Sequence, residues 1–127
     1  MTGFSDALDV TASGLRAQAM RLRITSENIA NADTPGYRRK TVSFEEVAGR
    51  TGAVETGPVR LTPGDLPEVY DPAHPMANAQ GFYEGTNVNL LVEIANAREA
   101  SRSYEANLKM FDQTRQMSSS LMELLRK

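Results

Sequence analysis

All six prolines of the chain (Pro35, Pro58, Pro63, Pro67, Pro72 and Pro75) fall between residues 35 and 75. Seven of the nine glycines fall between residues 36 and 85. Proline removes a backbone donor and clashes with the preceding turn of a helix, and an interior glycine costs about 1 kcal/mol. The chain is therefore divided into two ends that can be helical and a middle that cannot. The placement of the breakers also leaves too little alternation of strand and helix to carry a nucleophile elbow and its triad.

The first end reads as a helix over residues 4 to about 31. Apolar or small residues recur at Leu8, Ala12, Leu15, Ala19, Leu22, Ser26 and Ile29, at alternating spacings of four and three. This is a heptad stripe with large residues at one position and mostly small ones at the other. Ser5 is the expected N-cap, with Asp6 and Asp9 in a first turn that suits the helix dipole. At 1.5 Å rise per residue such a helix is roughly 40 Å long. It ends in Asn28-Ile-Ala-Asn31-Ala-Asp-Thr34-Pro35-Gly36-Tyr37. Pro35 disfavours the helical region for Thr34, and Pro35-Gly36 fits the central pair of a type II turn. Asn28, Asn31 and Asp33 can bond the freed backbone groups.

The middle differs in charge as well as in breakers. Residues 41–87 hold two basic and seven acidic side chains, whereas residues 1–40 hold six and four and residues 88–127 hold six and five. The whole chain has 14 basic and 16 acidic residues and a net charge of −2. That balance is not the footprint of a nucleic-acid binder. Val42–Glu45, Val59–Leu61 and Glu68–Tyr70 read as short strands between turns. Too few large apolar residues are present for a core of its own, so a small hairpin or meander is expected.

The second end, residues 88–127, reads as a longer helix capped by Asn87 or Asn89. Its stripe runs through Leu90 or Leu91, Ile94, Ala97, Ser101, Tyr104, Leu108, Phe111, Ser118, Leu121 and Leu124 or Leu125. Glu99 with Arg102 and Glu105 with Lys109 are expected surface pairs. The fold class is thus mainly α: long N- and C-terminal helices pairing as a coiled coil, with a small β-hairpin or loop insert between them. The boundaries are 1–37, 38–87 and 88–127. Two such helices have only one seam with each other, so the remaining stripes call for partners from other chains. An assembly subunit follows.

Chemistry is sparse. With no Cys and one His, a metal site would need His74 and nearby carboxylates, and a lone His beside Pro in a turn is read as structural. No phosphate loop or dinucleotide fingerprint occurs. No catalytic, cofactor-binding or metal-ligating residue is assigned, and no enzyme activity is expected. The basic run Tyr37-Arg38-Arg39-Lys40 is expected to contact an acidic neighbour, such as the insert of another subunit. The longest apolar stretch falls far short of the roughly 20 residues that span a bilayer, so no direct membrane insertion is expected. Asp6 and Asp9 stand where a cleaved secretory signal would carry basic residues. A location in the cytosol, or export by a route without signal cleavage, is expected.

Ala30-Asn-Ala-Asp-Thr-Pro-Gly-Tyr37, closing a heptad helix, resembles the signature of the bacterial flagellar rod and hook axial protein family. Ser13-Gly-Leu-Arg-Ala-Gln18 resembles the same region. Tyr70–Phe82, Asn87-Val-Asn89, Glu93 and Ala100-Ser-Arg-Ser-Tyr-Glu-Ala-Asn107 resemble its short proximal-rod members, over nearly the whole chain and least at residues 45–60. The resemblance implies a structural subunit of the basal-body proximal rod, in the periplasm, exported without a cleaved signal peptide by the flagellar type III export apparatus. It implies as partners copies of itself, the rod proteins FlgB and FlgF, the rod adaptor FliE and the ring protein FliF, and no nucleic acid. It marks Asn28, Asn31, Thr34, Pro35, Gly36 and Tyr37 as a family signature turn, and Phe4 with Leu8 as an export-gate element. Leu8, Leu15, Leu22, Ile29, Leu90, Ile94, Ala97, Tyr104, Leu108, Phe111, Leu121 and Leu125 are the expected helix-packing or subunit-interface residues. The alternatives are another short rod subunit of the FlgB type, or a helical adaptor or export chaperone. Residues 71–75 and 101–107 argue against the first. The Thr-Pro-Gly-Tyr stop and the acidic insert argue against the second.

Overall fold

A computed structural model describes residues 2–126. Helix α1 spans Thr2–Ala30 and helix α2 spans Leu90–Arg126. Between them lie six strands: β1 Lys40–Thr41, β2 Phe44–Glu46, β3 Val54–Thr56, β4 Arg60–Leu61, β5 Glu68–Tyr70 and β6 Phe82–Glu84. No described helix is long and apolar enough to cross a membrane.

Helix α1 begins ahead of the expected cap. Ser5 lies inside the helix, and neither Asp6 nor Asp9 falls in its first turn. Gly3 is tolerated near the terminus, where its propensity penalty matters least. Helix α2 begins as one of its two candidate caps predicts. The Asn89 side-chain oxygen accepts from the amides of Leu91 at 3.1 Å and Val92 at 3.3 Å, satisfying two of the orphan donors.

The insert forms three separate two-stranded antiparallel sheets, pairing β1 with β4, β2 with β3 and β5 with β6. The expected strand segments overlap β2, β4 and β5. Strands β1, β3 and β6 were not expected, because runs of two or three residues are too short to show an alternating pattern. The β2–β3 hairpin lies on the N-terminal half of α1: the Val54 amide donates to Ser13 Oγ at 3.1 Å, and Arg50 reaches Asp9 at 3.5 Å. The β5–β6 pair is joined by residues 71–81, where the ring of His74 stacks on Tyr83 at 3.9 Å and its Nδ1 accepts from the Met76 amide at 3.0 Å. His74 is thus a turn-closing residue.

The two helices pack antiparallel. Asn28 meets Glu93 at 3.3 Å, Arg21 meets Glu99 at 3.3 Å, and a Cβ placed on Gly14 would stand 2.9 Å from Asn107 Nδ2. Gly14 therefore lets α2 approach closely at that level. Glu99 directs its charge across the seam to Arg21, and among the described residues it forms no ion pair with Arg102.

On α1 the seam is offset by one residue from the leucine stripe, whereas on α2 it shares Ala97, Tyr104 and Phe111 with the stripe and leaves Leu90, Ile94 and Leu108 outside. On α1 it runs through Thr11, Gly14, Gln18, Arg21, Thr25 and Asn28, of which Thr11, Thr25 and Asn28 are buried. On α2 it runs through Glu93, Ala97, Ala100, Tyr104, Asn107 and Phe111, with Glu93 and Ala100 buried. A second buried line on α1 (Ser13, Ala17 and Ile24) lies under the insert. Apart from Ile24 and Leu66, the fully buried side chains are polar or small, and much of the large apolar surface is left outside the core.

Candidate functional site: a polar junction and an uncovered apolar face

The end of α1, the turn after it, the insert and the start of α2 converge on Asn28. This side chain is 1% exposed. Its Nδ2 donates to the Lys40 carbonyl at 2.9 Å and to Glu93 Oε2 at 3.3 Å. Its Oδ1 accepts from the Tyr37 hydroxyl at 2.8 Å and from the Lys40 amide at 2.9 Å. The amide is fully satisfied, which is what burial of such a group requires.

Glu93 is equally buried, at 1% exposure. Its Oε2 takes the Asn28 bond and its Oε1 pairs with the Arg39 guanidinium Nε. Its place in the first turn of α2 adds a favourable helix dipole. Arg39 is held in turn by its own amide, which donates to Asn87 Oδ1 at 2.6 Å, while Asn87 Nδ2 donates to the Thr62 carbonyl at 3.2 Å. Lys40 Nζ pairs with Glu27 at 3.0 Å, and Arg38 Nη1 donates to the Gly64 carbonyl at 2.6 Å. The basic run is therefore consumed within the chain. Glu27 and Glu93 pair with Lys40 and Arg39, and the carbonyls of Thr62 and Gly64 accept from Arg38.

The turn itself is built from the residues the sequence singled out. The Tyr37 amide donates to the Thr34 carbonyl at 3.1 Å and Gly36 takes φ +78°, the geometry of a type II turn around Pro35-Gly36. Asn31 Nδ2 caps the Glu27 carbonyl at 2.8 Å, and Thr34 Oγ1 donates to Asn31 Oδ1 at 3.1 Å. The Gly36 amide donates to the carbonyls of Glu84 and Gly85 at 3.2 and 3.1 Å, which ties the turn to β6.

Two groups here titrate away from their ordinary values. The Lys40 ammonium, by hydrogen bond and charge, holds the Glu27 carboxyl below the usual carboxylate range. Burial of Tyr37 raises its hydroxyl above the usual tyrosine value.

The expected interface residues are distributed differently. Leu8, Leu15, Leu22 and Ile29 line one flank of the α1 seam, half-buried, and Phe4 is half-buried on the same helix. Ala97, Tyr104 and Phe111 lie in the seam, half-buried. Leu90, Ile94, Leu108, Leu121 and Leu125 are exposed, as are Leu91 at 80% and Leu124 at 65%. The last turns of α2 extend past the start of α1, because the Gly14–Asn107 offset places Thr2 level with residue 119. Arg39 stands out in the sequence only as part of the basic run, without its partner, and Glu93 only through the family resemblance. A charged residue at a seam position of a helix was the available signal.

Two family models match the chain: "Flagella basal body rod protein" over residues 8–38 and "Flagellar basal body rod FlgEFG protein C-terminal" over residues 79–124. Among curated relatives, the flagellar basal-body rod protein FlgC of Agrobacterium fabrum is 45% identical, with 99% of this chain and 98% of the relative covered. FlgC of Salmonella typhimurium is 35% identical over 86% and 88%, and FlgC of Bacillus subtilis is 33% identical over 98% and 99%.

Proposed function

Because the chain belongs to the FlgC family of flagellar basal-body rod proteins, we propose that it polymerises through its two terminal helices into a periplasmic drive shaft that transmits torque. It is a structural rod subunit of the flagellar basal body, and it assembles with other components of that structure. Its relatives are structural proteins and not enzymes.

The observation that carries the proposal is the uncovered apolar surface on α2. Leu91 is 80% exposed, Leu124 65% and Leu125 75%. Large apolar side chains rarely stand exposed together, as Leu90, Leu91 and Ile94 do at one end of α2 and Leu121, Leu124 and Leu125 at the other, unless something covers them. The proposed cover is the helices of neighbouring subunits, with Leu8, Leu15, Leu22 and Ile29 contributing from α1. In the rod the α1–α2 pair takes coiled-coil form. The alternating four- and three-residue spacing of the seam on both helices supports this. Torque then passes through interlocked side chains.

The finer assignments belong to the same proposal. Neighbours are FlgB, FlgF, FliE and FliF, and the signature turn from Asn28 to Tyr37 fixes where the insert leaves the helix pair. Phe4 and Leu8 form an export-gate element used before folding, when the type III apparatus passes the chain without signal cleavage. Cryo-electron microscopy of isolated basal bodies tests the reading: density for this chain is expected in the proximal rod. Intact rods in a strain lacking the chain would overturn it.

A further inference from the structure

Helix α1 pairs through the less apolar of its available faces. Rotating α1 by one residue about its axis would replace Gly14, Arg21 and Asn28 in the seam with Leu15, Leu22 and Ile29. The same step on α2 would exchange Ala97, Tyr104 and Phe111 for Arg98, Glu105 and Asp112, so the competing arrangement is a rotation of α1 alone against the same face of α2. Apolar burial alone favours that rotated pairing. The observed seam even tolerates a buried side-chain oxygen without a partner, Gln18 Oε1. Something other than hydrophobic area selects the pairing.

The selecting group is the polar junction. Thr, Gly and Ala positions fit many registers about equally, whereas a buried amide and carboxylate fit only one. Asn28 is clamped on both faces of its amide to the backbone of Lys40, so it cannot follow a rotation of the helix. A turn of one residue, about 100°, would carry Asn28 and Glu93 apart and leave a desolvated carboxylate with less than its full set of partners. We infer that Asn28, Arg39 and Glu93 form the register determinant of the α1–α2 pair, and that they keep the leucine stripe out of the monomer's own seam. The inference deepens the proposed assembly, since that stripe is the surface offered to neighbours. It is tested on the isolated chain, so its failure is distinguishable from failure of the rod assignment.

The absence of native Cys makes disulfide mapping clean. A Cβ at position 14 would lie 3.4 Å from Asn107 Cγ, the place the sulfur would take in an Asn107→Cys variant, within disulfide reach. The full-length chain carrying Gly14→Cys with Asn107→Cys reports the observed pairing. Leu15→Cys with Asn107→Cys reports the rotated one. On mild oxidation of dilute protein the 14/107 bridge is expected to form faster. Adding Asn28→Leu, Arg39→Met and Glu93→Leu is expected to invert the ratio of the two rates. A 14/107 preference that survives the triple substitution, or equal rates in the otherwise native chain, overturns the inference. If circular dichroism shows the triple variant unfolded, Glu93→Gln, which keeps shape and removes charge, is expected to shrink the 14/107 preference severalfold. An undiminished preference there also overturns it.

Discussion

Asn28 on α1 and Glu93 on α2 meet side chain to side chain at 3.3 Å, each 1% exposed. Both are polar, and they are the largest fully buried side chains of the described chain. Truncating either one strands the other. Glu93→Ala leaves Arg39 and one Asn28 donor unpaired. Breaking a buried ion pair costs about 3–5 kcal/mol, and the lower end applies because the Arg39 side chain keeps 27% exposure and can rehydrate. Asn28→Ala should cost about 2–4 kcal/mol through its four hydrogen bonds. Urea unfolding followed by circular dichroism checks both, and the double variant should cost well under the sum of the two.

Gln18 offers the opposite sign. Its side-chain oxygen is buried without a partner in the α1–α2 seam. Gln18→Leu removes an unsatisfied acceptor and adds apolar contact, so it should stabilise the chain by about 1–2 kcal/mol. A raised urea midpoint at unchanged slope is the expected reading.

The stability plateau should be bounded by two groups of the junction. The carboxyl of Glu27 lies below its ordinary 4.5 because Lys40 pairs with it, so its contribution is complete above pH 4.5 and is lost as pH falls through the folded value. The hydroxyl of Tyr37 lies above its ordinary 10.0 because it is buried, so its contribution is complete below pH 10.0 and is lost as pH rises through the folded value. Denaturant midpoints measured against pH should fall on both sides. Glu27→Gln should flatten the acid limb, and Tyr37→Phe the alkaline one.

Gly36 isolates a backbone effect. It sits at φ +78° with nothing within 4 Å of the place a Cβ would occupy. Gly36→Ala therefore meets no steric neighbour and costs only the strain of the left-handed conformation, about 1–2 kcal/mol. A midpoint shift larger than that would mean the turn's bonds to Glu84 and Gly85 are also lost.

Substitutions on the uncovered face should separate folding from assembly. Leu91→Glu and Leu125→Glu alter side chains that are 80% and 75% exposed, so monomer stability should change by no more than about 0.5 kcal/mol. Motility on soft agar and recovery of the chain in purified basal bodies should both be lost. Retained motility with both substitutions present would remove this face from the interface.

The distribution of breakers determined two helices and a broken middle, because proline and glycine act locally and need no tertiary partner. Local chemistry also determined the turn at Pro35-Gly36 and narrowed the α2 cap to Asn87 or Asn89, of which the structure uses Asn89. Three strands of the insert were illegible because pairs such as Phe44 with Thr56 are made between runs too short to show a period. The family signature located Asn28 but not its role, since Lys40 lies 12 residues away and Glu93 lies 65 away. Periodicity fixed that each helix has an apolar stripe, and it could not say which way the stripe faces. A leucine stripe and a seam one residue over have the same spacing. Only the tertiary structure chose between them, because a buried amide and carboxylate have to find each other and hydrophobic side chains do not.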